Sequence, residues 1–105
     1  MIQGNRRLTA VVAANDAMAL GIIDAARYDF GLEVPRDLSV VGFDDVNSAR
    51  RPPYRLTTVR QPTEALARKS VDLLSERIED RSLVPEVLLL PGELLIRESA
   101  RIDPA

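Results

Sequence analysis

The sequence contains no cysteine and no histidine. Without cysteine there is no disulfide, no thiolate metal site and no thiol nucleophile; the composition fits a reducing, cytoplasmic setting. Without histidine the commonest general base and the commonest metal ligand are both missing. Ser-His-Asp hydrolysis and histidine-ligated zinc chemistry are therefore excluded. Tryptophan is absent too, and the few aromatic residues are Tyr28, Phe30, Phe43 and Tyr54. No apolar run approaches the length of a membrane span, and residues 1–7 carry no apolar stretch of the signal-peptide kind. Charge of one sign is also lacking. Fourteen Lys and Arg stand against 16 Asp and Glu, a net charge of -2. A nucleic-acid-binding surface needs a basic footprint, so this stretch is not expected to grip DNA by itself. Repeats, low-complexity tracts and a Gly-rich phosphate loop are missing. A phosphoryl-transfer enzyme or a hydrolase is accordingly disfavoured, and we expect no catalytic residue, no metal site and no cofactor.

What is present is an ordinary soluble composition, 46% hydrophobic and 29% charged over 105 residues, enough for one small domain. Residues 8–14 form a nearly continuous apolar run that reads as a buried parallel strand. Asn15 and Asp16 follow, both good helix N-caps. From 17 to about 28 the apolar residues recur at helical spacing, with Met18, Ile22, Ile23 and Ala26 on one face. Gly31 is placed to end that helix. A second buried strand is expected at 38–43 and ends in Asp44 and Asp45. Residues 46–56 read as a loop, because Pro52 and Pro53 forbid helix and ladder alike.

A third strand follows at 56–60. The next helix opens near Pro62 and Thr63, where Thr can cap, and runs to about 80. Ala67, Val71, Leu74 and Ile78 form its buried stripe, and Glu64–Arg68 is a favourable i,i+4 pair. Strands are also expected at 86–90 and 93–98, separated by Pro91 and Gly92, and the tail 101–105 reads as frayed. Strands alternating with helices indicate an α/β fold with a parallel sheet and flanking helices.

In an open parallel sheet, ligands bind outside the C-terminal ends of the strands. If the first two strands are neighbours, Asn15 and Asp44 line one crevice. A carboxylate accepts hydrogen bonds and a carboxamide both donates and accepts, which suits a polyhydroxylated ligand. The plainer reading stays open: Asn15 and Asp16 as caps, Asp44 and Asp45 as the start of a turn. Gly42 suggests close backbone approach or a strand-end kink. Phe43 reads as core rather than a sugar-stacking platform, Arg50 and Arg51 as a solvated loop rather than an anion patch.

Four segments in register are more specific than any one residue. They are ANDAMALG at 14–21, PRDLSVVGFDD at 35–45, LTTVRQP at 56–62 and LIRES at 95–99. Together they resemble the C-terminal portion of the lactose/galactose repressor family of transcription regulators, over nearly the whole of 9–99. The resemblance implies a partial periplasmic-binding-protein-like (type I) effector domain of two lobes. About 8–61 would be mostly one lobe, about 62–91 a segment of the other, and about 92–99 a return strand. It implies that Asn15, Asp44 and Gln61 contact a small-molecule effector, a sugar or nucleoside-like compound; Gln61 rests on the resemblance alone. It also implies a cytoplasmic homodimer meeting through 18–26 and 46–54. DNA would be bound only through an N-terminal helix-turn-helix domain, expected to be absent here. The rival within the same fold is a solute-binding protein of a transporter.

Overall fold

The computed structural model describes residues 8–102. The expected N-terminal features at 1–7 and the last part of the tail, 103–105, lie outside the described residues. Six elements follow in order: β1 (Ala10–Val12), α1 (Asp16–Tyr28), β2 (Ser39–Val41), β3 (Thr58–Arg60), α2 (Thr63–Glu79) and β4 (Glu93–Leu95). β1 and β2 pair in parallel, with Val11 opposite Val40. β3 and β4 pair antiparallel, with Val59 opposite Leu94. The two pairs are separate two-stranded sheets, linked by the isolated parallel bridges Val41–Thr57 and Asp44–Arg60. The α/β class expected from the pattern is the fold observed, with an antiparallel last strand.

The core is small and lies between α1 and β2. Ala19, Ile23 and Ala26 on α1 meet Leu38, Val40 and Leu56, all fully or almost fully buried. Each fully buried aliphatic side chain of the Ile or Leu kind contributes roughly 1.5–3 kcal/mol. The inward face of α1 is therefore rotated from the one expected, because Met18 is 55% exposed. Gly31 adopts φ 65° just past the helix end, as expected, since a side chain there would be strained.

Gly42 shows why a residue without a side chain is needed at the end of β2. A Cβ there would fall on the Asp16 carboxylate and lie 2.8 Å from Leu56 Cδ2 and 3.3 Å from Ala19 Cβ. The helix N-terminus can approach the strand only over a bare backbone. Close approach, not a kink, is its role.

Several expectations are corrected by the tertiary arrangement. β1 is not a buried strand: Val11 packs on the core, but Ala10 is exposed and Val12 is 78% exposed. Alternate side chains of a strand point to opposite faces, and here one face is covered while the other faces solvent. The stripe on α2 is not buried either. No residue of that helix is buried, and Val71, Leu74 and Ile78 are more than half exposed. The helix stands away from the sheet, and the molecule extends 58 Å along its long axis against 29 and 28 Å across.

Residues 86–90 do not form a strand. They are almost wholly exposed, and a strand exists only where a neighbour completes its backbone hydrogen bonds. The 46–56 loop contains a short 3-10 turn, Asn47–Arg50, ahead of the prolines. Thr63 is the first residue of α2 rather than its cap, and no side chain caps that helix. No helix among the described residues is long and apolar enough to cross a membrane.

Replacing Gly42 with Ala is expected to destabilise the fold by about 1–3 kcal/mol, the usual cost of overpacking a filled interior. Gly21→Ala, where nothing lies within 4 Å of the added carbon, is expected to stabilise α1 by up to ~1 kcal/mol. Urea unfolding of the two variants should move in opposite directions.

Candidate functional site

The C-terminal ends of β1 and β2 adjoin. The Asp16 N–H donates to the Phe43 carbonyl at 3.0 Å, and the Ala13 N–H donates to the Val41 carbonyl at 2.8 Å. Asn15 therefore leaves the sheet beside Asp44. Its side-chain Oδ1 accepts the Met18 N–H at 2.9 Å, capping α1. The cap leaves the Asn15 amide nitrogen with two donor hydrogens.

Asp44 sits in backbone geometry that few side-chain-bearing residues adopt, at φ 129°, and Asp45 follows at φ 63°. The Asp44 N–H donates to the Val59 carbonyl at 2.9 Å, and its Oδ1 accepts from Gln61 Nε2 at 2.7 Å. Asp44 and Gln61 are thus brought into direct contact, and Asn15 emerges at the neighbouring strand end. The three form a half-buried rim at the strand ends. A concave surface of about 410 Å3 begins at Pro62, next to Gln61, and is lined by Pro62, Thr63, Glu64, Ala65 and Arg68.

Two neighbouring carboxylates hold this rim in place. Asp16 is fully buried. Thr58 Oγ1 donates to its Oδ1 at 2.6 Å, and the Val46 N–H donates to its Oδ2 at 2.8 Å. It is a joint between α1, β3 and the loop after β2 rather than the cap its position suggested, because Asn15 caps α1 and Asp16 is the first residue of the helix. Asp45 has a side chain only 1% exposed. Its Oδ1 accepts from Arg97 Nη2 at 2.7 Å. Its Oδ2 accepts from Arg60 Nε and Arg50 Nη2, each at 2.9 Å. Burial alone would push this carboxyl upward; hydrogen bonds from Arg50, Arg97 and Arg60 outweigh it and hold the group well below the ordinary carboxylate range.

The arginine cluster escaped the sequence reading. Arg50 is not a free loop cation, because it is spent on Asp45. Arg60 and Arg97 are 15 and 52 positions from Asp45, so no local pattern joins them. The alternation of β3 was the one available signal, since it places Arg60 at a strand end. Phe43 is also corrected: it is 39% exposed and outside the core, because the chain turns at Asp44 before its ring can be covered.

The tail completes the site's support. Ser99 Oγ donates to the Val40 carbonyl at 2.5 Å and accepts the Thr57 N–H at 2.8 Å. The Arg97 N–H donates to Thr57 Oγ1 at 2.9 Å. No buried side-chain polar atom among the described residues lacks a partner.

Residues 2–100 match the family described as periplasmic binding protein-like domain. The chain is 40% identical over 99 residues to the HTH-type transcriptional repressor PurR of Glaesserella parasuis, covering 89% of this chain and 29% of that protein. It is 45% identical over 99 residues to the HTH-type transcriptional regulator MalR of Streptomyces coelicolor, covering 94% and 28%. Among solved structures it superimposes on a transcriptional regulator CelR–cellobiose complex with a TM-score of 0.84 at 38% identity, over 94% of this chain and 30% of that one. The chain thus spans somewhat under a third of the length of these relatives.

Because the folded-state value of Asp45 is depressed, its contribution to stability is fully present above the ordinary carboxylate value of ~3.9. It is lost as pH falls through the lower folded-state value. Asp45→Asn is expected to cost about 2–3 kcal/mol at pH 6. That is less than the ~3–5 kcal/mol of a fully buried pair, because Arg50 and Arg60 remain about half exposed. Urea unfolding at pH 6, 4 and 2 should show a shallower acid loss in the variant than in the native chain.

Proposed function

The chain belongs to the periplasmic binding protein-like domain family, and from that premise we propose that it forms part of the effector-sensing domain of a LacI-type transcription regulator. The relatives named above are transcription regulators, which favours a regulator over a transporter component. The effector we assign is a sugar or related polyhydroxylated metabolite, held by Asn15, Asp44 and Gln61.

The observation that carries this reading is the joint placement of Asp44 and Gln61, 2.7 Å apart, at strand ends beside Asn15. The trio offers carboxylate acceptors, amide donors and amide acceptors on one rim. A ligand hydroxyl both donates and accepts, so each can be satisfied without leaving a buried polar group unpaired. The cellobiose in the CelR complex is a ligand of this chemical kind.

The exposed face of α2 and the unpaired stretch before β4 support assigning about 62–91 to a second lobe, with Pro62 and Pro91 near the crossings and 92–99 returning to the first. Exposure of Met18 and Val46 supports a homodimer meeting through 18–26 and 46–54. DNA binding belongs, on this reading, to a part of the regulator outside these 105 residues, in the cytoplasm. The effector acts by differential affinity for two lobe arrangements.

Titrating the chain with cellobiose, and with a monosaccharide panel beside it, should shift NMR signals of 15, 44 and 61 first. Asp44→Ala should weaken the tightest of these ligands at least tenfold, the loss of ~1.4 kcal/mol or more. Unchanged affinity in the variant removes Asp44 from the site.

A further inference from the structure

Asp44 and Asp45 are consecutive, and so are Arg60 and Gln61. Asp45 binds Arg60 through Oδ2 at 2.9 Å, and Asp44 binds Gln61 through Oδ1 at 2.7 Å. Two adjacent side chains on one strand end are therefore tied to two adjacent side chains on its neighbour. The backbone bond from the Asp44 N–H to the Val59 carbonyl, 2.9 Å, closes the same frame. A slip of one residue would turn side chains to the opposite face, so the Asp45–Arg60 link sets which residue meets Asp44.

The frame reaches both stretches of chain that flank α2. Arg60 is the last residue of β3 and lies one residue ahead of the Gln61-Pro62 step. Arg97 follows β4, which starts immediately after Pro91-Gly92. Arg97 also donates from Nη1 to the Leu56 carbonyl at 3.0 Å, which locks its guanidinium plane. A guanidinium fork holds geometry as well as charge. Consecutive positive φ values at Asp44 and Asp45 persist only where surrounding contacts over-determine them, and these contacts do so.

We propose that Asp45 is a positioning residue: by gripping Arg60 and Arg97 it holds Gln61 against Asp44 and ties both chain stretches flanking α2 to the effector site. The inference rests on Asp44 and Gln61 being effector contacts. A change in the angle between α2 and the sheet would reach the site through Gln61 directly and through the Asp45 cluster that holds Arg60 and Arg97, and effector binding would be felt at the crossings in return.

The test uses Arg60→Gln and Arg97→Gln, with Arg60→Lys and Arg97→Lys as milder variants in case the first pair folds poorly. Backbone hydrogen exchange at Asp44 should accelerate at least tenfold in the Gln variants and less in the Lys variants. Exchange at Val40 in β2 and at Gly42 just after it, both outside the frame, should stay within twofold. The Gln61 side-chain amide signals should move toward those of a free amide. Equal acceleration at all three backbone sites, or none at Asp44, overturns the positioning role. Failure of the native chain to bind cellobiose or any of the monosaccharides counts against the effector reading alone; the exchange pattern still decides the role of Asp45.

Discussion

The carboxylate of Asp45 is where the separate parts of this chain meet. Residues from the loop after β2, from β3 and from the segment after β4 all place a guanidinium on it. A buried carboxylate is costly without partners, so Asp45 requires its arginines, while Arg50 and Arg60 keep about half of their side-chain surface in solvent. The turn that carries Asp44 depends on this arrangement. The Asp45 cluster adds to the direct Gln61–Asp44 bond and to the backbone bond from the Asp44 N–H to the Val59 carbonyl, which hold the same two strand ends together.

The apolar core cannot impose that order by itself. It joins α1 to β2 and reaches little further, and its members are mostly alanine, valine and leucine. Hydrophobic burial is also non-directional, so it sets which faces meet but not which side chains pair. Directional bonds supply the rest: Asp16 to Thr58 and Val46, Ser99 to Val40 and Thr57, and the Asp45 cluster. Their distribution explains how a short sheet with a thin core presents a defined rim at its strand ends, while α2, which shares none of these bonds, stands apart with its apolar stripe in solvent.

Which features were legible in the sequence follows from the range of the interactions behind them. The cap at Asn15 and the left-handed Gly31 are local and were readable from one or two residues. So were the existence of α1, α2 and the first three strands, because period and punctuation are local too. Asp44 was singled out by its place at a strand end, and Gln61 by resemblance alone. Phe43 was misread because its burial depends on where the chain turns next. The stretch 86–90 forms no strand because an apolar run states a willingness to pair and says nothing of whether a neighbour is there.

The sequence by itself determined the α/β order, the absence of thiol and imidazole chemistry, and the periplasmic binding protein-like family that this chain matches. Those are properties of composition, of local periodicity and of motifs in register. Only the tertiary structure decided that Arg60 and Arg97 converge on Asp45, that Gln61 touches Asp44, and that α2 leaves its apolar face uncovered. The physical reason is that charge pairing and burial depend on distance in space, and residues 45 and 97 become neighbours only after the sheet has assembled.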